Sequence, residues 1–86
     1  SISSMVSVYP NPARETLFIA MNSLNGQRTS YALRDALGRA ALSAELGNLS
    51  GSWNGKLDLS ELGSGVYFLE ITIGSRTTTE RVIVHR

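Results

Sequence analysis

Apolar residues in this chain recur with a period of two, in short runs cut off by glycine, proline and asparagine, and this pattern constrains the fold more than any other feature. Successive side chains of a strand point to opposite faces, so an alternating run offers one face to a core and one to solvent; a helix needs apolar positions three and four apart. The clearest run is residues 66–73, with Tyr67, Leu69, Ile71 and Ile73 on one face and Val66, Phe68, Glu70 and Thr72 on the other. It predicts the central strand of a sheet. Residues 15–21 repeat the pattern, with Leu17, Ile19 and Met21 inward and Thr16, Phe18 and Ala20 outward.

Further strands are expected at 5–9, 29–34, 39–45, 56–59 and 76–85, about seven in all, which is the pattern of an all-β antiparallel sandwich or barrel. Tyr9-Pro10-Asn11-Pro12 closes the first, since proline cannot donate to a ladder and belongs at edges. Residues 22–27, with Asn25-Gly26, read as a polar turn, and 47–55 as a glycine-rich connection carrying the only tryptophan, Trp53. Asp35-Ala36-Leu37-Gly38 predicts a hairpin turn: aspartate accepts backbone hydrogen bonds at its start and Gly38 supplies a positive φ at its end. Gly74-Ser75 is a two-residue hairpin loop. The first and last strands are the expected sheet edges, where pairing with a second copy would give a homodimer.

Composition narrows the function classes. The 86 residues, 42% of them hydrophobic, fit one domain with a modest core. There is no cysteine, so neither a disulfide framework nor a thiolate zinc site supports that core. Eight basic and seven acidic residues are scattered without runs, leaving a net charge of +1 and no footprint for nucleic acid. The longest apolar stretches fall far short of the roughly 20 residues of a membrane-spanning helix. Ser1-Ile2-Ser3-Ser4 has neither a basic nor an apolar leader region, so no secretory signal of the usual kind is expected in these residues.

The chemical inventory is thin. His85 is the only histidine, with no cysteine and no adjacent acidic pair, and is expected to be a surface strand residue. The acidic residues stand singly, and Asp58 is placed to cap the turn after it. Gly51-Ser52-Trp53-Asn54-Gly55-Lys56 fails as a phosphate loop, because Leu57 stands where a hydroxyl should hold magnesium. No catalysis, metal or cofactor is expected. Trp53, Phe18 and Phe68 keep a glycan-binding module open as an alternative, and a structural spacer is another. Against the glycan reading, Tyr31, Tyr67 and one phenylalanine are expected in the core, and a loop tryptophan tends to fold over a sheet edge.

Three motifs, taken in order, cover nearly the whole chain: Tyr9-Pro10-Asn11-Pro12, the hairpin Asp35-Ala36-Leu37-Gly38-Arg39, and Asp58-Leu59-Ser60-Glu61-Leu62-Gly63-Ser64-Gly65-Val66-Tyr67 followed by Arg81-Val82-Ile83-Val84. In this they resemble the C-terminal sorting domain of type IX secretion cargo proteins. Arg81 stands where the family often has lysine, which keeps the charge and changes donor geometry. The resemblance implies an immunoglobulin-like sandwich, with residues 1–5 a linker remnant and 6–86 the sorting domain of a cargo protein lying before it. It implies a route through the periplasm and the outer-membrane translocon, then removal by a sortase-like protease, with the cargo at the cell surface or secreted. A sorting domain ends its protein, and this sequence stops directly after its last strand, which favours sorting over a spacer. The signal residues implied are Tyr9, Pro10, Asn11, Pro12, Asp35, Gly38, Arg39, Gly65, Val66, Tyr67, Arg81, Val82, Ile83, Val84 and Arg86.

Overall fold

The computed structural model describes residues 2–86. A 3₁₀ turn, Ile2–Met5, precedes five antiparallel strands: β1 Val6–Tyr9, β2 Thr16–Arg34, β3 Ala40–Asp58, β4 Gly65–Ile73 and β5 Arg76–Val84. Ile2 is buried in the core with Val6, so the turn packs on the body of the domain.

The 19-residue strands β2 and β3 form one long hairpin, paired from Thr16↔Asp58 to Arg34↔Ala40. On the other side of β2, β1 pairs with the first part (Val6↔Met21 to Tyr9↔Phe18) and β4 with the last part (Thr29↔Ile73 to Arg34↔Phe68). β5 then pairs with β4. The hairpin therefore serves two layers: its open end lies beside β1, and its turn end lies beside β4 and β5. Leu17, Ile19, Met21 and Leu57 from the first layer and Leu33, Leu69, Ile71, Ile73, Val82 and Val84 from the second share one core, all at most 3% exposed. The alternation in residues 15–21 and 66–73 places these side chains as expected.

Seven separate strands were expected, and the chain instead runs through the two segments read as breaks. Residues 22–27 and 47–55 stay in the ladder. Register shifts between Met21 and Leu24 and between Asn25 and Gln27 put the extra residues on β2, and bulges of this kind bend and twist a strand without ending it. Gly26 and Gly51, both with φ of 75°, and Ser23, with φ of 58°, make the bend in left-handed backbone, which glycine enters at no steric cost. Polar, glycine-rich sequence thus marks a corner here rather than a loop. A Cβ on Gly55 would lie 2.3 Å from the Trp53 ring, so the indole covers that glycine.

One further expectation needs correction. Phe18 and Phe68 are 40% and 37% exposed, so neither joins the core. Aliphatic side chains from both layers fill it, together with Met21 and the expected Tyr67. The first and last strands, β1 and β5, stand at the two ends of the β1-β2-β4-β5 order, the edge positions expected of them. Ala13 makes a parallel bridge to Val84, which covers the end of β5, and β3, paired with β2 alone among the described residues, adds a longer third edge.

The closing strand and the segment that clasps it

Asn11 joins the two ends of the chain. Its Nδ2 donates to the Arg81 carbonyl at 2.8 Å, and its Oδ1 accepts the Ile83 amide at 3.0 Å. The side-chain amide thus offers the donor and acceptor that a neighbouring strand would offer with its backbone. Two residues on, the main chain takes over: the Ala13 amide donates to the Ile83 carbonyl at 2.7 Å, and the His85 amide to the Ala13 carbonyl at 2.8 Å. Pro10 and Pro12, each after a cis peptide bond, frame Asn11 and have no amide hydrogen to leave unpaired. Ala13 is fully buried, the largest contribution to this clasp that the motif itself did not announce. Its signal in the sequence was only a small residue between proline and arginine.

The mid-chain motif builds its own turn. Asp35 Oδ1 accepts the amides of Leu37 and Arg39, both at 2.9 Å, and its Oδ2 accepts Arg39 Nε at 2.9 Å. Gly38, at φ of 85°, returns its amide to the Asp35 carbonyl and gives its own carbonyl to Arg34. Hydrogen bonding by the Arg39 backbone, and then by the Arg39 side chain and the Leu37 amide, lowers the Asp35 pKa against a smaller desolvation effect than these combined.

The third motif also folds on itself. The Asp58 carboxylate accepts the Ser60 amide at 2.9 Å, and Tyr67 Oη donates to the Gly63 carbonyl at 2.8 Å. Arg86 reaches back to this turn: its guanidinium donates to the Ser60 carbonyl at 2.9 Å and closely to the Leu59 carbonyl, and its amide to Ser64 Oγ at 3.2 Å. Asp58 is held below the usual carboxylate range by the Ser60 hydroxyl and amide and by the nearby Arg86 charge. Gly65 opens β4 opposite Val84.

Alternation divides the remaining residues of the motifs between two faces. Tyr67, Val82 and Val84 are buried, whereas Val66 and Ile83 are half-buried on the outer face and Arg81 is exposed there. Tyr9 stacks on Phe18, ring centroids 5.6 Å apart, on the outer face of the other layer. Among the described residues no group of three or more His, Cys, Asp or Glu could hold a metal ion. The His85 side chain is exposed.

A small antiparallel sandwich whose motif residues go into turns, a clasp and an outer face defines a recognition module. Residues 7–85 match the model of the secretion system C-terminal sorting domain, and the chain belongs to that family. It is a C-terminal sorting signal for type IX secretion cargo, in a family of signals rather than of enzymes. Such a signal implies contact with the type IX machinery, attachment to a cargo protein, and export to the cell surface or medium. Comparison with curated proteins finds no significant match.

Proposed function

We propose that this domain acts as a folded, non-catalytic address that the outer-membrane translocon reads while the cargo is in the periplasm, before a sortase-like protease removes it at the surface. The observation that carries this reading is the Asn11 clasp. Elements 70 positions apart in sequence, the opening motif and the closing strand, are hydrogen-bonded into one unit, so they can be presented together only by a folded domain. A folded signal offers fixed backbone and side-chain geometry, whereas a disordered tail must be ordered by its receptor at an entropic cost. Trp53 is half-buried and packed against the core, which argues against a free glycan platform at that residue.

The test is a fusion of residues 1–86 behind a folded periplasmic reporter in a bacterium with a type IX system. Reporter on the surface or in the medium, with the domain removed, is the expected result. Retention of the whole fusion in the periplasm would refute the reading.

A further inference from the structure

Two properties of the closing strand determine how a partner can reach it. Its outer edge from Arg81 to His85 is occupied by Asn11 and Ala13, so a partner strand cannot add there without displacing the clasp. Its inner face, Val82 and Val84, is sealed in the core. Along residues 81–85, only the outer face of β5 therefore remains open to a partner that leaves the fold intact.

On that face β4 and β5 place Val66 opposite Ile83 and Phe68 opposite Arg81. Directly opposed residues on one face of an antiparallel pair are in side-chain contact range. The four therefore form one patch of three apolar side chains and a guanidinium, and Phe68 is 37% exposed within it. The charges nearby differ in kind. Arg34, directly opposite Phe68 on β2, is committed to Glu70 at 3.0 Å and to the Gly38 carbonyl. The Arg81 side chain has no hydrogen-bond or ion-pair partner among the described residues. Further along, the same face carries Thr72 and Thr77, hydrogen-bonded to each other at 3.1 Å. Apolar surface and uncompensated charge thus coincide at one end of the sheet.

We infer that Val66, Phe68, Arg81 and Ile83 form the surface through which the closing strands are recognised, by a protein partner that presents a carboxylate beside apolar side chains. The inference rests on the sorting reading and identifies its contact surface. A carboxylate answers the free guanidinium with charge-assisted, bidentate hydrogen bonds, and apolar side chains cover Phe68 and Ile83. One free cation suits a protein partner better than a lipid surface, which is held by clusters of basic residues.

The experiment compares variants of residues 1–86 fused behind the periplasmic reporter. Phe68→Ser and Arg81→Glu remove the two exposed anchors, Arg81→Lys keeps the charge, and Asn54→Asp with Lys56→Glu alters the outer face of the other layer while leaving both rings of the Tyr9 stack in place. Each purified domain is also melted and mixed with vesicles of anionic phospholipid. The expected result is at least a tenfold loss of export for Phe68→Ser and Arg81→Glu at unchanged melting temperature, with substantial export kept by Arg81→Lys and by the other-layer variant. Normal export of the combined Phe68→Ser, Arg81→Glu variant would overturn the inference, as would equal loss in the other-layer variant. Arg81-dependent vesicle binding would assign the patch to a lipid surface and overturn the protein partner. If the unaltered domain exports nothing, it is the sorting reading that fails.

Discussion

Asn11→Ala should loosen the end of β5 while leaving the two-layer core intact. The substitution deletes two hydrogen bonds, Nδ2 to the Arg81 carbonyl at 2.8 Å and Oδ1 from the Ile83 amide at 3.0 Å. A net intramolecular hydrogen bond contributes about 0.5–1.5 kcal/mol, so two give about 1–3 kcal/mol. Asn11 is exposed, and water can reach the groups left behind, which places the cost in the lower half of that range, about 1.5 kcal/mol. For a domain of this size that corresponds to a fall in Tm of roughly 6–12 °C. Amide exchange adds the spatial information that melting lacks. Ile83 should exchange faster in the variant, whereas Ile71, in the β4 ladder and fully buried, should slow or quicken only with global stability. Asn11→Asp keeps the acceptor for Ile83 but sets a carboxylate against the Arg81 carbonyl, so it should not restore stability. An unchanged Tm together with unchanged Ile83 exchange in Asn11→Ala would refute the clasp.

Arg86→Gln should cost about 1–2 kcal/mol, because a cation that donates to the Leu59 and Ser60 carbonyls is lost from a partly exposed site; an unchanged urea midpoint would show that the contact contributes nothing. Gly38→Val should cost about 1–3 kcal/mol through backbone strain alone, since φ is 85° and nothing lies within 4 Å of the added Cβ. Gly38→Asn should be milder, and equal thermal melts for the two would refute the strain explanation. The folded-state pKa values of Asp35 and Asp58 are lowered, so their contribution is present above the unfolded aspartate value of about 3.9 and is lost as pH falls through the folded values. Melting followed from about pH 5 to about pH 2 should show a loss that shrinks in the Asp35→Asn, Asp58→Asn double variant; an equal acid loss in that variant would assign it to other carboxylates.

What local chemistry can specify was legible in the amino-acid order. Period-two alternation is a property of neighbouring residues, so it identified the buried faces of 15–21 and 66–73 before any partner was known. The Asp35 to Arg39 turn was equally legible, because its hydrogen bonds close within five residues and Gly38 must take a positive φ. Strand continuity was not. Asn25-Gly26 and the glycines of 47–55 have the composition of loops, and only pairing along the full length of β2 and β3 decides that such residues bend a hairpin instead of ending it. The phenylalanines followed the alternation too: it put Phe18 and Phe68 on the outer faces, and the expectation that one of them joins the core failed because it set aromatic size above that pattern.

The motif residues divide along the same line. Tyr9-Pro10-Asn11-Pro12 was visible as a motif, but its role depends on Arg81 and Ile83, about 70 positions away, and sequence separation carries no information about which edge a side-chain amide will meet. Arg86, read as a recognition candidate, is tied to the Leu59 and Ser60 carbonyls, a contact that exists only once β5 has brought the chain end beside that turn. The sequence by itself determined the faces and the local turns, because those interactions close within a few residues. The tertiary structure decided the corner in the long hairpin, the clasp on β5 and the register that sets Val66 opposite Ile83 and Phe68 opposite Arg81, because each depends on which distant strands become neighbours.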